Sequence, residues 1–185
     1  MKIKSFFIAL ITLIAFNGFS QVELGDKVPG FKSTDQFGNE WELKKNLDQN
    51  YLVIYFYPVA FTGGCTKQAC SYRDRKSDLS DIGAAIVGIS GDNSETLKMF
   101  AEENQLNFTL LSDADGNISD IFGVPRSEGG TITREIKGNS FELSRQVTIK
   151  RWTFILDKKG KLIYRDSEVN AQEDSNKVTE FLNSL

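Results

Sequence analysis

Cys65 and Cys70 are the two thiols of this 185-residue chain, five positions apart. Cys65 lies where an apolar run, Tyr51 to Tyr57, gives way to helix-forming sequence beginning near Thr62. A thiol at a strand-to-helix junction meets unpaired N–H groups and the positive end of the helix dipole, which favour its thiolate. The thiolate is the reactive form. With Thr62 as N-cap, Cys65 occupies N3, within reach of those donors. Taken singly, Thr62 reads as an ordinary cap, Pro58 as a strand terminator, and Gly63 and Gly64 as aids to a tight turn. Together, around a cysteine, they outline a reactive site. A second thiol close by lets an oxidised sulfur condense to a disulfide instead of oxidising further.

The spacing constrains that pair. Residues five apart on a straight helix sit about 140° apart around the axis and roughly 7.5 Å along it. A disulfide needs Cα atoms closer than about 7 Å. Either the stretch is not helical, or it unwinds when the bond forms. A permanent bridge would spoil a helix for little entropic return, because the closed loop is small. A redox switch makes use of the strain, and geometry favours it over a staple. Four residues separate the cysteines, which weakens a Cys-x-x-Cys oxidoreductase reading.

The chain has no histidine. Ser-His-Asp and Cys-His catalysis are therefore excluded, and two cysteines alone make a structural zinc site unfavourable. No metal or cofactor is expected, so the nucleophile is activated by arginine, lysine, hydroxyls or backbone dipoles. A formal net charge of −3 without a basic run gives no reason to expect nucleic acid as a partner.

The elements that position the cysteines follow from pattern. Phe31 to Thr34 and Trp41 to Leu43 predict an opening hairpin around Gly38. Tyr51 to Pro58 and Ala84 to Ser90 read as strands buried on both faces, and Phe108 to Leu111 as a third. Helices are expected over Thr62 to about Asp81, over Ser94 to Asn104 with Ser94 as cap, and over Gln172 to Leu185. A short helix should run from the Asp113–Gly116 turn to Gly123. Trp152 to Leu156 and Leu162 to Tyr164 predict a closing hairpin, and Pro125 to Lys150 an inserted one. The alternation predicts an α/β fold, a central mixed sheet flanked by helices, with the opening hairpin as an N-terminal extension.

Residues 1–20 read as a signal peptide. Lys2 and Lys4 precede the apolar run Phe6 to Phe16, and Gly18 and Ser20 place small residues before Gln21. The run is shorter than the roughly 20 residues that span a bilayer. One domain over residues 21–185 is then expected in an exported, periplasmic setting, with no membrane association after cleavage.

These motifs resemble the peroxiredoxins. Pro58-x-x-x-Thr62-x-x-Cys65 is similar to the family signature, and Cys70 five positions on resembles the atypical two-cysteine subgroup called PrxQ or bacterioferritin comigratory protein. The segments Gly25 to Phe31, Tyr55 to Pro58, Asn107 to Asp113 and Arg151 to Asp157 follow in the family's order. The resemblance implies a thioredoxin-like fold and a thiol-dependent peroxidase acting on hydrogen peroxide and organic hydroperoxides. By the same resemblance Cys65 is the peroxidatic and Cys70 the resolving cysteine. Thr62 would hydrogen-bond the thiolate and the peroxide, Pro58 would shield the sulfur, and Arg151 would stabilise the charge. A thioredoxin-like dithiol protein would recycle the disulfide, and the chain would act as a monomer. Gly63 stands where the subgroup often has proline. Phe56, Phe61 and Trp152 are candidates for an apolar entrance. The competing readings are an exported thiol–disulfide oxidoreductase acting on protein substrates, and a binding domain with an inert bridge.

Overall fold

The computed structural model describes residues 21–185; the expected signal peptide, residues 1–20, lies outside the described residues. The opening hairpin forms from β1 (Lys32–Asp35) and β2 (Glu40–Glu42). Then come β3 (Tyr51–Phe56), α1 (Gly63–Asp74), α2 (Lys76–Asp81), β4 (Ala84–Ser90), α3 (Ser94–Glu103), β5 (Thr109–Ser112) and α4 (Asn117–Phe122). A long hairpin follows, β6 (Arg126–Ile136) with β7 (Asn139–Ile149), before β8 (Thr153–Asp157), β9 (Leu162–Asp166) and α5 (Asp174–Asn183).

Seven strands form one sheet in the order β2-β1-β5-β4-β3-β8-β9. Its centre, β5-β4-β3, is parallel, and the flanking pairs are antiparallel, so the sheet is mixed. The central strands are apolar throughout because both faces are covered. Side-chain alternation along β3 sorts them. Leu52, Ile54 and Phe56 join Phe122 and Phe154 on one face. Val53, Tyr55 and Tyr57 meet Cys65, Ala69, Tyr72 and Val178 on the other. The site-bearing helix α1 therefore lies on the second face, next to α5.

Three expectations need correction. The helix expected over Thr62 to Asp81 is two helices, broken at Arg75 (φ −96°, ψ 8°). The break falls in Arg73–Lys76, four consecutive charged residues that offer the core no apolar anchor. Asn93, not Ser94, caps α3: its backbone is extended and its side chain accepts from the Thr96 amide at 2.8 Å. Phe56 is fully buried in the core and lines no entrance.

The hairpin expected within Pro125 to Lys150 is present as a separate two-stranded sheet. Lys137 and Gly138 both have positive φ, the geometry of a two-residue primed turn. At its base β7 passes very close to Gly91, where a Cβ would lie 2.1 Å from the Val147 carbonyl oxygen. Only glycine admits that approach.

Candidate active site

The loop after β3 carries Pro58 to Thr62 into α1. Thr62 occupies the N-cap position with extended backbone (φ −94°, ψ 148°), which puts Cys65 at N3. Its hydroxyl, however, donates to the Val59 carbonyl oxygen at 2.9 Å and makes no cap hydrogen bond. Phe61, just before it, holds a left-handed conformation (φ 61°) that costs a bulky residue on the order of 1–3 kcal/mol.

Such strain persists only where the surroundings over-determine it, and here they do. Asp92, buried in the turn after β4, accepts from the Ala60 amide at 2.8 Å and from the Ser90 hydroxyl at 2.9 Å. Arg134, on β6, donates through Nε to the Phe61 carbonyl oxygen at 3.1 Å. The Phe61 ring packs edge-on against Phe100 with centroids 5.2 Å apart. The loop is thus gripped at two of its peptide groups, Val59–Ala60 and Phe61–Thr62, by residues far away in sequence. Burial pushes the Asp92 carboxyl above its ordinary range, opposed by its bonds to Ala60 and Ser90 and by nearby Arg145.

Cys65 is 1% exposed, with Arg151 Nη2 at 3.2 Å from its sulfur. Arg151 lies just ahead of β8, and its Nη1 donates to the side-chain Oε1 of Gln68, one turn after Cys65 on α1. The sulfur thus sits between a helix N-terminus and a guanidinium, both of which stabilise negative charge. Cys70 is half-buried on the same helix, its sulfur 4.0 Å from Asn104 Oδ1. Both cysteines are free thiols, and α1 is continuous between them.

Of the residues named from sequence, the structure brings Arg151 directly to Cys65 and leaves Cys70 farther along the same helix. Thr62 borders the site with its hydroxyl turned to Val59. Half-buried Pro58 lines a small cleft shared with Pro125 and Ile149 at the hairpin base. Phe61 and Trp152 are both half-buried, the first against Phe100 and the second against Phe154.

Gln68, Asp92, Arg134 and Asp174 escaped the sequence reading. Gln68 lies between the two cysteines without being one of the signature residues, the others sit in no motif, and the long-range partners that place them are 21 to 106 positions distant, so no local pattern marks them. Chemically, the arrangement holds one buried sulfur beside a guanidinium, with a second thiol in reserve on the same helix.

Residues 24–165 match the model of the AhpC/TSA family. The chloroplastic peroxiredoxin Q of Populus jackii is 37% identical over 169 residues, covering 90% of this chain and 71% of its own length. Peroxiredoxin Bcp of Escherichia coli (strain K12) is 37% identical over 155 residues, covering 83% and 92% respectively. Among solved structures, peroxidoxin BcpB from Mycobacterium tuberculosis matches with a TM-score of 0.75 at 32% identity, over 89% of this chain and 99% of that one.

Proposed function

The chain belongs to the AhpC/TSA family and is a peroxiredoxin, and on that premise we propose a two-cysteine peroxidase cycle for it. The observation that carries the reading is Arg151 at 3.2 Å from a buried Cys65, on a helix that also bears Cys70.

In the first step the Cys65 thiolate attacks one oxygen of a hydroperoxide. An S–O bond forms, the O–O bond breaks, and the departing alkoxide or hydroxide takes up a proton, leaving sulfenic acid at Cys65. Arg151 stabilises the thiolate and then the negative charge on the departing oxygen. The Thr62 hydroxyl already donates to Val59, so its lone pair is free to accept from the peroxide O–H. Pro58 limits access of water to the sulfur.

In the second step the helical turn between the cysteines unwinds. The Cys70 thiol displaces water from the sulfenic acid: one S–S bond forms, one S–O bond breaks. The balance is dithiol plus hydroperoxide giving disulfide, alcohol and water. A thioredoxin-like dithiol protein returns the disulfide to thiols by exchange. Hydrogen peroxide and organic hydroperoxides are both substrates in this reading, and the chain acts as a monomer. Residues 1–20 direct export, so the cycle and its reductant belong to the periplasm.

The test is whole-protein mass spectrometry of the reduced chain before and after one equivalent of hydrogen peroxide. Loss of two hydrogens, reversed by a dithiol and absent in both Cys65→Ser and Cys70→Ser, is expected. An unchanged thiol pair would overturn the reading in favour of oxidoreductase chemistry on protein substrates. N-terminal sequencing of the chain from a periplasmic extract tests export; a start near Gln21 is expected, and an intact Met1 in the cytoplasm contradicts it.

A further inference from the structure

Asp174 opens α5 and is completely buried. One carboxylate oxygen, Oδ2, accepts three hydrogen bonds: from Gln68 Nε2 at 2.6 Å, Tyr72 Oη at 2.8 Å and Thr153 Oγ1 at 2.8 Å. The other, Oδ1, is buried without a hydrogen-bond partner among the described residues. A buried carboxylate served only by neutral donors is costly to maintain, and a half-satisfied one more so. Burial accordingly pushes its carboxyl above the ordinary range. A purely structural site of this shape would be filled as well by an apolar side chain.

Its partners suggest why a carboxylate is there. Gln68 and Tyr72 both lie on α1, and Thr153 opens β8, two residues after Arg151. Gln68 is the hinge of the arrangement: its side-chain Nε2 donates to Asp174, while its side-chain Oε1 accepts from Arg151. A chain of contacts therefore runs from Asp174 through Gln68 and Arg151 to the Cys65 sulfur. Ser71 and Ser175 add another contact between α1 and α5. Gln68 also lies between the two cysteines, in the segment that must unwind for them to meet.

We propose that Asp174 is a positioning residue and a latch: through Gln68 it holds Arg151 against Cys65 while α1 is folded, and its bonds to α1 must open before Cys70 can reach Cys65. The inference rests on the peroxidase cycle above. It assigns one carboxylate opposite effects on the two steps: it speeds oxidation of Cys65 and slows closure of the disulfide. Slow closure lengthens the life of the sulfenic acid and so its exposure to a second peroxide.

Asp174→Asn preserves the shape but places an amide donor among groups that are themselves donors. Rapid mixing of the full reduced chain with hydrogen peroxide separates a second-order oxidation from a first-order disulfide closure. In Asp174→Asn the first should slow about tenfold and the second speed up about tenfold, the scale of one hydrogen bond to a charged group. Amide exchange should quicken across α1 and not in β3. Tyr72→Phe, which removes one donor and spares Gln68, should speed closure about threefold and leave oxidation unchanged.

If both rates fall together in Asp174→Asn, or neither moves, the latch is overturned while the peroxidase reading stands. If the parent chain itself fails to lose two hydrogens to peroxide, the peroxidase reading falls and the latch with it. Should Asp174→Asn not fold, Tyr72→Phe decides alone, and an unchanged closure rate contradicts the proposal.

Discussion

The loop Pro58–Thr62 and the helix α1 that follows it are adjacent in sequence and built to opposite specifications. The loop has no regular hydrogen-bond ladder of its own, yet it is fastened from outside by Asp92 at Ala60, by Arg134 at Phe61, and internally from Thr62 to Val59. Helix α1 has its own ladder but begins with two exposed glycines, Gly63 and Gly64, the poorest helix formers after proline. Three of its fastenings, Gln68, Ser71 and Tyr72, point to α5. Regular structure and rigidity are thus separated here. In the proposed cycle the irregular segment fixes Pro58 and Thr62 beside Cys65, and the regular one, which carries both cysteines, is the part that opens.

The largest effect falls on the guanidinium held against the first turns of α1. Arg151→Ala should slow Cys65 oxidation by roughly 10²–10³, the range for losing one charge-stabilising donor, with little change in thermal stability. Retention of the parent rate in that variant would mean that the guanidinium at 3.2 Å is a bystander.

Next comes the loop alone. Arg134→Ala releases the Phe61 carbonyl and should slow oxidation about tenfold through misplacement of Thr62, leaving disulfide closure unchanged. Rapid-mixing traces give both rates from one experiment. A change in closure of similar size would erase the distinction between loop and helix.

Gly63→Pro tests the helix alone. Gly63 is the first helical residue, its would-be Cβ meets nothing within 4 Å, and Thr62 before it is extended, so proline fits. Closure should slow about threefold, and urea unfolding should show a gain of about 0.4–1 kcal/mol, while oxidation is unaffected. Destabilisation would contradict the assigned geometry.

The smallest effect is in pH. Burial holds the Asp92 and Asp174 carboxyls above the ordinary 3.8, so the folded chain binds these protons more tightly than the unfolded chain. The stability they contribute is fully present below pH 3.8 and is lost as pH rises through their raised values. Relative to Asp174→Asn, which has no such proton, the parent should therefore gain stability as pH falls from neutral toward that window. Urea titrations of both proteins at several pH values check the sign.

The sequence made some parts of this molecule legible and hid others for physical reasons. β3 and β4 announce themselves because both faces are buried and every position is apolar. Cys65, Thr62 and Cys70 stand within nine consecutive positions, so their spacing carried information. The closeness of Arg151 to Cys65 came only with the family pattern, because the two are 86 positions apart and local sequence says nothing about such pairs. Asp174 and Gln68, separated by 106 positions, had no pattern to betray them. The break at Arg75 was hidden because Arg and Lys are good helix formers and propensity is blind to the lack of an apolar anchor.

The most direct test of the contrast is amide exchange, resolved by peptide, on the reduced chain and on the chain oxidised by one equivalent of hydrogen peroxide. Oxidation should strip protection from α1, above all around Gln68, while the loop amides Val59 to Thr62 and strand β3 exchange as before. Equal loss of protection in loop and helix, or an oxidised α1 as protected as the reduced one, would contradict the division of labour between them.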